Sequence, residues 1–414
     1  MILIENTKIL QGEALKDGNI LIEGNRIAAI GEVKDKSDIV IDAKDLAAIP
    51  GLFNCHTHSA MTLFRGYAED MPLQEWLEKK IWPAEMRLND RIVYLASKLA
   101  CVEMLKTGTV FFNDMYFFPS ATAKAVEETG IRACLSSAFF DFFNEEILEA
   151  NMKRVERELK ELKKFRVSRA IAPHAVYTVS LEGLRRSVEV AEKEDIFIHF
   201  HLAETEKEVL EFKKRQGKGI VKALDDIGFL SPRLFCAHSV WLEKEEIELL
   251  GIRKVNLVHC PTSNMKLSVG KAMNFPEMRK NEVNVLLGTD GAASNNSLNM
   301  FSEMKFCALL QKFYYGAGSF KAKEAFRIAT ENAGRAFGLK SGRIEVGWLA
   351  DIVLVELKQV GFVPCHDIVA NLVYSGATVN TVIVDGKIVV ENGYFDGEEK
   401  LLEEFSKEVE SFFT

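Results

Sequence analysis

A rhythm of strands and helices constrains this fold more than any other feature of the chain. Between about residues 51 and 342, short apolar runs alternate with amphipathic helical segments. The runs stop near His58, Tyr116, Phe139, His174, His201, His238, His259 and Asp290. Helical periodicity fills the gaps, as from Asp90 to Lys106 and from Asn144 to Lys164. A strand joined to a parallel neighbour through a helix is buried on both faces, so it reads as a continuous apolar run. Eight such units over roughly 290 residues match a (β/α)8 barrel in count and length. A doubly wound open sheet is the structural alternative. No Gly-x-Gly-x-x-Gly turn follows a strand to support it. The expected fold class is therefore α/β, a (β/α)8 TIM barrel.

The two ends read differently from this middle. Gly18 to Ile27 is a pair of strands about a Gly-Asn turn. Asp351–Val355 and the stretch Thr381–Val390, with its Asp385-Gly386 turn, look alike. Both termini thus build one small composite β-sandwich domain, residues 1–50 and 343–414, beside a barrel at 51–342. Leu401, Leu402, Phe405, Val409 and Phe412 stand at helical spacing across 397–413 and predict a C-terminal surface helix.

Composition narrows the function classes. The net charge is −8, against a nucleic-acid partner, which favours a basic face. No window approaches 18 uncharged apolar residues, so no membrane span is expected. The opening run Met1–Asn6 is broken at Glu5 and lacks the layout of a signal peptide. Cysteines at 55, 101, 134, 236, 260, 307 and 365 form no Cys-x-x-Cys pair, as suits reduced thiols and a cytoplasmic location.

Chemistry-bearing residues gather where the proposed strands end, which is where barrel enzymes hold their sites. His56-Thr57-His58 places two imidazoles on one face of a strand, half of a metal site. The preceding run, Ala47 to Asn54, reads as one buried strand entering from a turn. Cys55, between Asn54 and His56, points away and reads as a buried small residue. His201 ends another strand, and Glu204 follows by three residues, close enough for a slight turn to bring it beside the same metal. His199 shares that face one pleat deeper and reads as a packed, hydrogen-bonded core histidine rather than a ligand. His238 ends the next strand. Asp290, after an apolar strand and before Gly291, suits a carboxylate ligand; a helix cap is its blander reading.

Taken together, Asn54-Cys55-His56-Thr57-His58, His201-x-x-Glu204, Ala237-His238 and the run Gly288 to Asn296 resemble the amidohydrolase superfamily. The resemblance runs nearly end to end. It includes Gly342-Arg343-Ile344-Glu345-Val346-Gly347-x-x-Ala350-Asp351, similar to a junction motif of that family's composite β-domain. Leu73-Gln74-Glu75-Trp76-Leu77 and Trp82-Pro83-Ala84-Glu85 look like the methylthioadenosine/S-adenosylhomocysteine (5′-deoxyadenosine) deaminase group.

The resemblance implies a metal-dependent hydrolase with His56, His58, His201 and Asp290 as ligands to one divalent ion per subunit. Zinc suits that donor set, and iron serves in some relatives. The fourth strand, Ser168 to His174, lacks the lysine that bridges two metals in binuclear relatives, so one metal is expected. The implied reaction is hydrolytic deamination of adenosine-type nucleosides by a metal-activated hydroxide. Asp290 accepts the water proton, Glu204 protonates ring N1, and His238 steadies the intermediate. Glu85 is implied at the ribose hydroxyls, His174 at the sugar and its 5′ substituent, Trp76 as a pocket wall and Ser294 at the base. A packed core aromatic is the other reading of Trp76. The resemblance also implies a homo-oligomer.

One departure concerns the 5′ group. Relatives that bind S-adenosylhomocysteine well hold its carboxylate with arginines after the third strand, whereas here no arginine occurs between Arg132 and Arg154. The expected preference is for 5′-deoxyadenosine, methylthioadenosine or adenosine. The alternative activities are hydrolysis of another ring, namely guanine, cytosine or an s-triazine. A non-enzymatic barrel is disfavoured because every implied ligand is present together with Glu204.

Overall fold

The computed structural model describes residues 1–33 and 37–414. The N-terminal part supplies β1 (Ile2–Gln11), β2 (Ala14–Glu23), β3 (Arg26–Gly31), β4 (Ile39–Asp42) and β5 (Leu46–Pro50). Then come β6 (Leu52–Thr57), β7 (Thr109–Tyr116), β8 (Arg132–Phe139), β9 (Ser168–Pro173), β10 (Phe197–Leu202), β11 (Leu234–His238), β12 (Asn256–His259) and β13 (Asn284–Leu287). The C-terminal part adds β14 (Ile352–Glu356), β15 (Val379–Val384) and β16 (Lys387–Val390).

Strands β6 to β13 pair in sequence order, all parallel, as the rhythm of apolar runs predicts. The ends of this sheet meet. The Asp290 N–H donates to the His56 carbonyl at 3.0 Å, and Asn54 bonds Thr289 twice, from Nδ2 to Oγ1 and from the Thr289 N–H to Oδ1. Closeness at this seam demands Gly288, where a Cβ would lie 2.8 Å from both the N and O of His56. The open-sheet alternative therefore falls. Helices pack outside, each begun by a polar cap where the strand-to-helix turn supplies one. Asn89 opens Asp90–Lys106, Ser180 opens Leu181–Glu194 and Thr205 opens Glu206–Gln216.

The run from Ala47 to Asn54 is not one strand. It is β5 and β6, in two different sheets, broken at Gly51. The Gly51 N–H bonds Asp351 O, and the next N–H, of Leu52, bonds Gly108 O, so the chain leaves one ladder and enters the other within one residue. A side chain at Gly51 would sit 2.4 Å from the Val110 methyls.

Both termini join one mixed sheet in the order β16-β15-β14-β5-β1-β2-β3, with β4 beside β1. This sheet from the two termini is the expected composite β-domain. A register shift between Ile4 and Thr7 lets β1 pair with β4 on one half and β5 on the other. Its own isoleucine-rich core includes Ile4, Ile20, Ile352 and Ile383, each 0% exposed. The sheet is tied to the barrel at Arg132, whose guanidinium meets Asp351 (3.2 Å) and Asp385, while Ser341 also donates to Asp351. The C-terminal helix, Glu398–Phe413, lies against Asp90–Lys106, with Lys106 2.6 Å from Glu398. All seven cysteines are free, and Cys55 is buried. Among the described residues, no helix is long and apolar enough to cross a membrane.

Candidate active site

His58, His201, Glu204, His238 and Asp290 line one cavity at the carboxyl end of the barrel, and His56 is buried against His58 and Asp290. His56 lies inside β6 and His58 just beyond it, with rings 4.9 Å apart. Their Nε2 atoms stand 3.3 and 3.2 Å from Asp290 Oδ1. Asp290 sits three residues past β13 in the left-handed region, at φ +62°. Its carboxylate accepts from Ser263 Oγ (2.6 Å), Ser294 Oγ (3.1 Å) and the Gly291 N–H (2.8 Å), which fix its direction. His201, on β10, has its ring 5.0 Å from that of His56 and 5.3 Å from that of His238.

Two overlapping groups of donor atoms result. His56, His201 and His238 form one and His56, His58 and Asp290 the other, the atoms of each within 4.8 Å of one another. His56 Nε2 is buried without a hydrogen-bond partner, the condition of an atom whose lone pair awaits a cation. Burial holds His56 down to about 4 and His201 well below the usual imidazole range, so both are neutral and available as ligands. At His58 burial opposes the charge, but Asp290 outweighs it and lifts the ring to about 9. Asp290 itself lies well below the usual carboxylate range; burial raises it, and the flanking imidazoles more than reverse that. The site is thus built to face Asp290 with positive charge. Imidazole nitrogens and a carboxylate are the donor set of a divalent transition metal, so the residues present fit one such ion.

Glu204 follows Ala203, another left-handed residue at φ +48°, and its Oε1 comes 3.8 Å from His238 Nδ1. Burial raises the Glu204 carboxyl above its ordinary range. His238 Nδ1 donates to Asn264 Oδ1 at 2.9 Å.

The cavity measures about 60 Å³, and Trp76, Glu85, His174 and Ser294 all line it. Trp76 is buried, with its indole N–H on the Ala68 carbonyl. Burial pushes Glu85 up to about 7, and the Tyr116 hydroxyl donates to it at 2.7 Å. His174 Nδ1 bonds the Thr178 hydroxyl, and the Phe140 ring lies 4.6 Å from its own. The Ser294 hydroxyl is already engaged with Asp290 and Ser263. The helical turn Leu73–Trp76 widens into a π turn at Leu77–Ile81 before an α turn at Trp82–Glu85. Pro83 has no N–H for the i−4 bond, which frees the preceding turn to open.

Trp82, Glu85, Phe117 and Phe140 also line a second, outer groove of about 960 Å³. Arg154 and Arg157 line that groove too. Both belong to the helix Glu145–Leu162, and Arg154 is already bonded to Glu158, Asn151 and the Ala138 carbonyl.

Sequence reading missed the residues behind the site. Glu208 is buried and accepts the N–H groups of Ala203 (3.2 Å) and Glu204 (2.8 Å), holding the left-handed turn that presents Glu204. An acid in the first turn of a helix ordinarily reads as a solvated favourable charge, so nothing local marked it. Asn264 and Ser263 carried no signal either. His199, read as a hydrogen-bonded core histidine, is buried and bonds His56.

Comparison with known proteins followed from this geometry. The family described as the amidohydrolase family matches residues 47–389. A protein of Archaeoglobus fulgidus named 5-methylthioadenosine/S-adenosylhomocysteine deaminase 1 is 60% identical over 98% of this chain and 97% of its own. A 5′-deoxyadenosine deaminase of Methanosarcina acetivorans is 45% identical over 97% and 96%. Among solved structures, an adenosine deaminase from Xanthomonas campestris with bound zinc superposes with a TM-score of 0.93 at 31% identity, covering 99% of this chain and 98% of that one. A zinc-complexed atrazine chlorohydrolase from Arthrobacter aurescens shares the fold, with a TM-score of 0.90 at 23% identity over 99% and 100%.

Proposed function

Since the chain belongs to the amidohydrolase family, we propose that it hydrolyses the amino group from the adenine ring of small adenosine-type nucleosides, releasing the inosine analogue and ammonia. In this reading residues 51–342 are the catalytic barrel, with a small β-domain from 1–50 and 343–414. His56, His58, His201 and Asp290 would hold one divalent ion, zinc by donor set and by the zinc-bound neighbours, with iron the alternative. When bound, such an ion supplies Lewis acidity that brings the ionisation of water toward neutral pH.

The protein's own groups divide the remaining work. Asp290, ionised, takes a proton from the attacking water. Glu204, whose carboxyl burial raises above its ordinary range, gives a proton to ring N1, so the ring never becomes an anion as oxygen adds to C6. His238 orients that oxygen, its ring fixed by Asn264. On collapse Asp290 passes its proton to the amino group, the C6–N bond breaks and ammonia leaves, and the C6 hydroxyl proton released as the carbonyl forms restores Glu204. Glu85 receives the ribose hydroxyls, His174 the sugar and its 5′ end, Trp76 walls the pocket and Ser294 lies against the base.

The observation that carries this reading is the meeting of the donor set with Glu204 and His238 in one cavity. The aromatic side chains of Trp82, Phe117 and Phe140 support short uncharged 5′ groups, since no arginine among the described residues lines the inner cavity beside them. The test is ammonia release from 5′-deoxyadenosine, methylthioadenosine, adenosine, S-adenosylhomocysteine, guanine, cytosine and an s-triazine, compared by kcat/KM. The first three should lead. A lead for S-adenosylhomocysteine overturns the 5′ preference, and turnover of guanine, cytosine or the triazine alone overturns the nucleoside. The same reading has the chain acting in the cytoplasm as a homo-oligomer; light scattering on the purified protein checks the latter.

A further inference from the structure

The structure assigns His199 a task that the proposed chemistry leaves open: it is a positioning residue that holds His56 in the tautomer able to ligate a metal ion. The inference rests on the reading of His56 as a ligand. Both rings are 0% exposed, and His56 Nδ1 lies 2.8 Å from His199 Nε2 with the rings near perpendicular, at 85°. A neutral imidazole carries one proton. For His56 Nε2 to offer its lone pair toward Asp290, that proton must sit on Nδ1, and a buried N–H requires an acceptor. His199 Nε2 is the atom placed to accept it. His199 must then carry its own proton on Nδ1, which lies beside the Asp114 main chain without a hydrogen bond of its own.

The contrast with the other two ligand histidines sharpens the point. His58 Nδ1 donates to the Met115 carbonyl at 2.5 Å, and His201 Nδ1 to the His174 carbonyl at 3.0 Å. A carbonyl can only accept, so those two tautomers are fixed by the backbone. His56 alone depends on a side chain that could itself donate. Partners of this kind around metal-ligating histidines are worth about 10–100-fold in metal affinity.

The experiment is zinc affinity by chelator competition for the parent, His199→Leu, His199→Gln and His56→Ala, with melting of each metal-free protein alongside. His199→Leu should bind zinc about 10–100-fold more weakly. His199→Gln, whose side-chain oxygen reaches the place of Nε2, should recover most of that loss. A Leu variant with parental zinc affinity overturns the inference, and so does one that merely melts lower. Ring-nitrogen NMR of the zinc-loaded parent gives an answer independent of any variant: His56 and His199 should both be Nδ1–H, and an Nε2–H at His199 overturns it. Parental affinity in His56→Ala would instead bring down the ligand reading itself, and the inference with it.

Discussion

The mouth of the barrel and the composite sheet are made by one chain under opposite rules. At the mouth, Ala203, His238, Ser239 and Asp290 adopt left-handed backbone without being glycine, at φ +48°, +69°, +50° and +62°. His56 Nε2 and His199 Nδ1 are buried without hydrogen-bond partners there, and burial lifts Glu85 and Glu303 to about 7. In the composite sheet, left-handed residues fall at turns such as Gly12, Gly24 and Asp385-Gly386 and at Asn6, in the register shift of β1, and the interior is rich in isoleucine. Strain and unpaired polarity concentrate where side chains must aim at a third body, and regular ladders with apolar cores hold the rest together. The comparison teaches that the two regions respond to different insults: the mouth should lose chemistry without losing fold, and the sheet the reverse.

The largest expected effect tests the mouth. Glu204→Gln should lower kcat by about 10²–10⁴-fold with metal content unchanged, read by ammonia release and elemental analysis. Surviving turnover would remove Glu204 from the acid's role. The mirror experiment is in the sheet, where Ile20→Ala or Ile352→Ala, both fully buried, should cost about 2–5 kcal/mol in denaturant unfolding. The kcat of the folded fraction should stay parental, and a drop in kcat would break the division between the regions. Glu208→Gln is smaller. An amide NH₂ would then face one of two backbone N–H groups, slowing turnover by about 1–2 kcal/mol while zinc affinity holds.

The smallest effects lie in pH dependence, and they have opposite signs. Burial raises Glu303 from 4.5 to about 7, against hydrogen bonds from Thr262 and Asn295. Between those values the folded protein holds a proton that the unfolded chain has lost, so stability falls as pH rises through that window. Glu303→Gln should flatten that fall in melting curves taken against pH. Asp385, at the joint of sheet and barrel, is shifted the other way. Burial pushes it up, but Asn25, Arg132 and Arg166 outweigh that and hold it below its ordinary 3.8. Its contribution is present above that value and lost on acidification, so Asp385→Asn should flatten only the acid limb. Matching slopes for both variants would blur the contrast.

Much of this molecule was legible in one dimension. Strand ends fell within a few residues of their expected places, and the helix Asp90–Lys106 has the span read from its periodicity. Both reflect local rules, the apolar run of a strand buried on two faces and the 3.6-residue repeat, which a chain carries in its own order. The residues proposed as ligands could be picked out too, because each stands at or near the end of such a run. The change of sheet at Gly51 was not, since it depends on Val110 occupying the space a side chain would need. Nor was the pocket wall, where Trp82, Phe117 and Phe140 come from three separate segments.

The order of strands and the kinds of donor at their ends were therefore settled by the sequence itself, through periodicity and residue chemistry. Which nitrogen of His56 faces inward was settled only in three dimensions, by a ring 143 residues away. A proton's position on imidazole depends on what lies 3 Å from it in space, and distance along a chain carries no record of that.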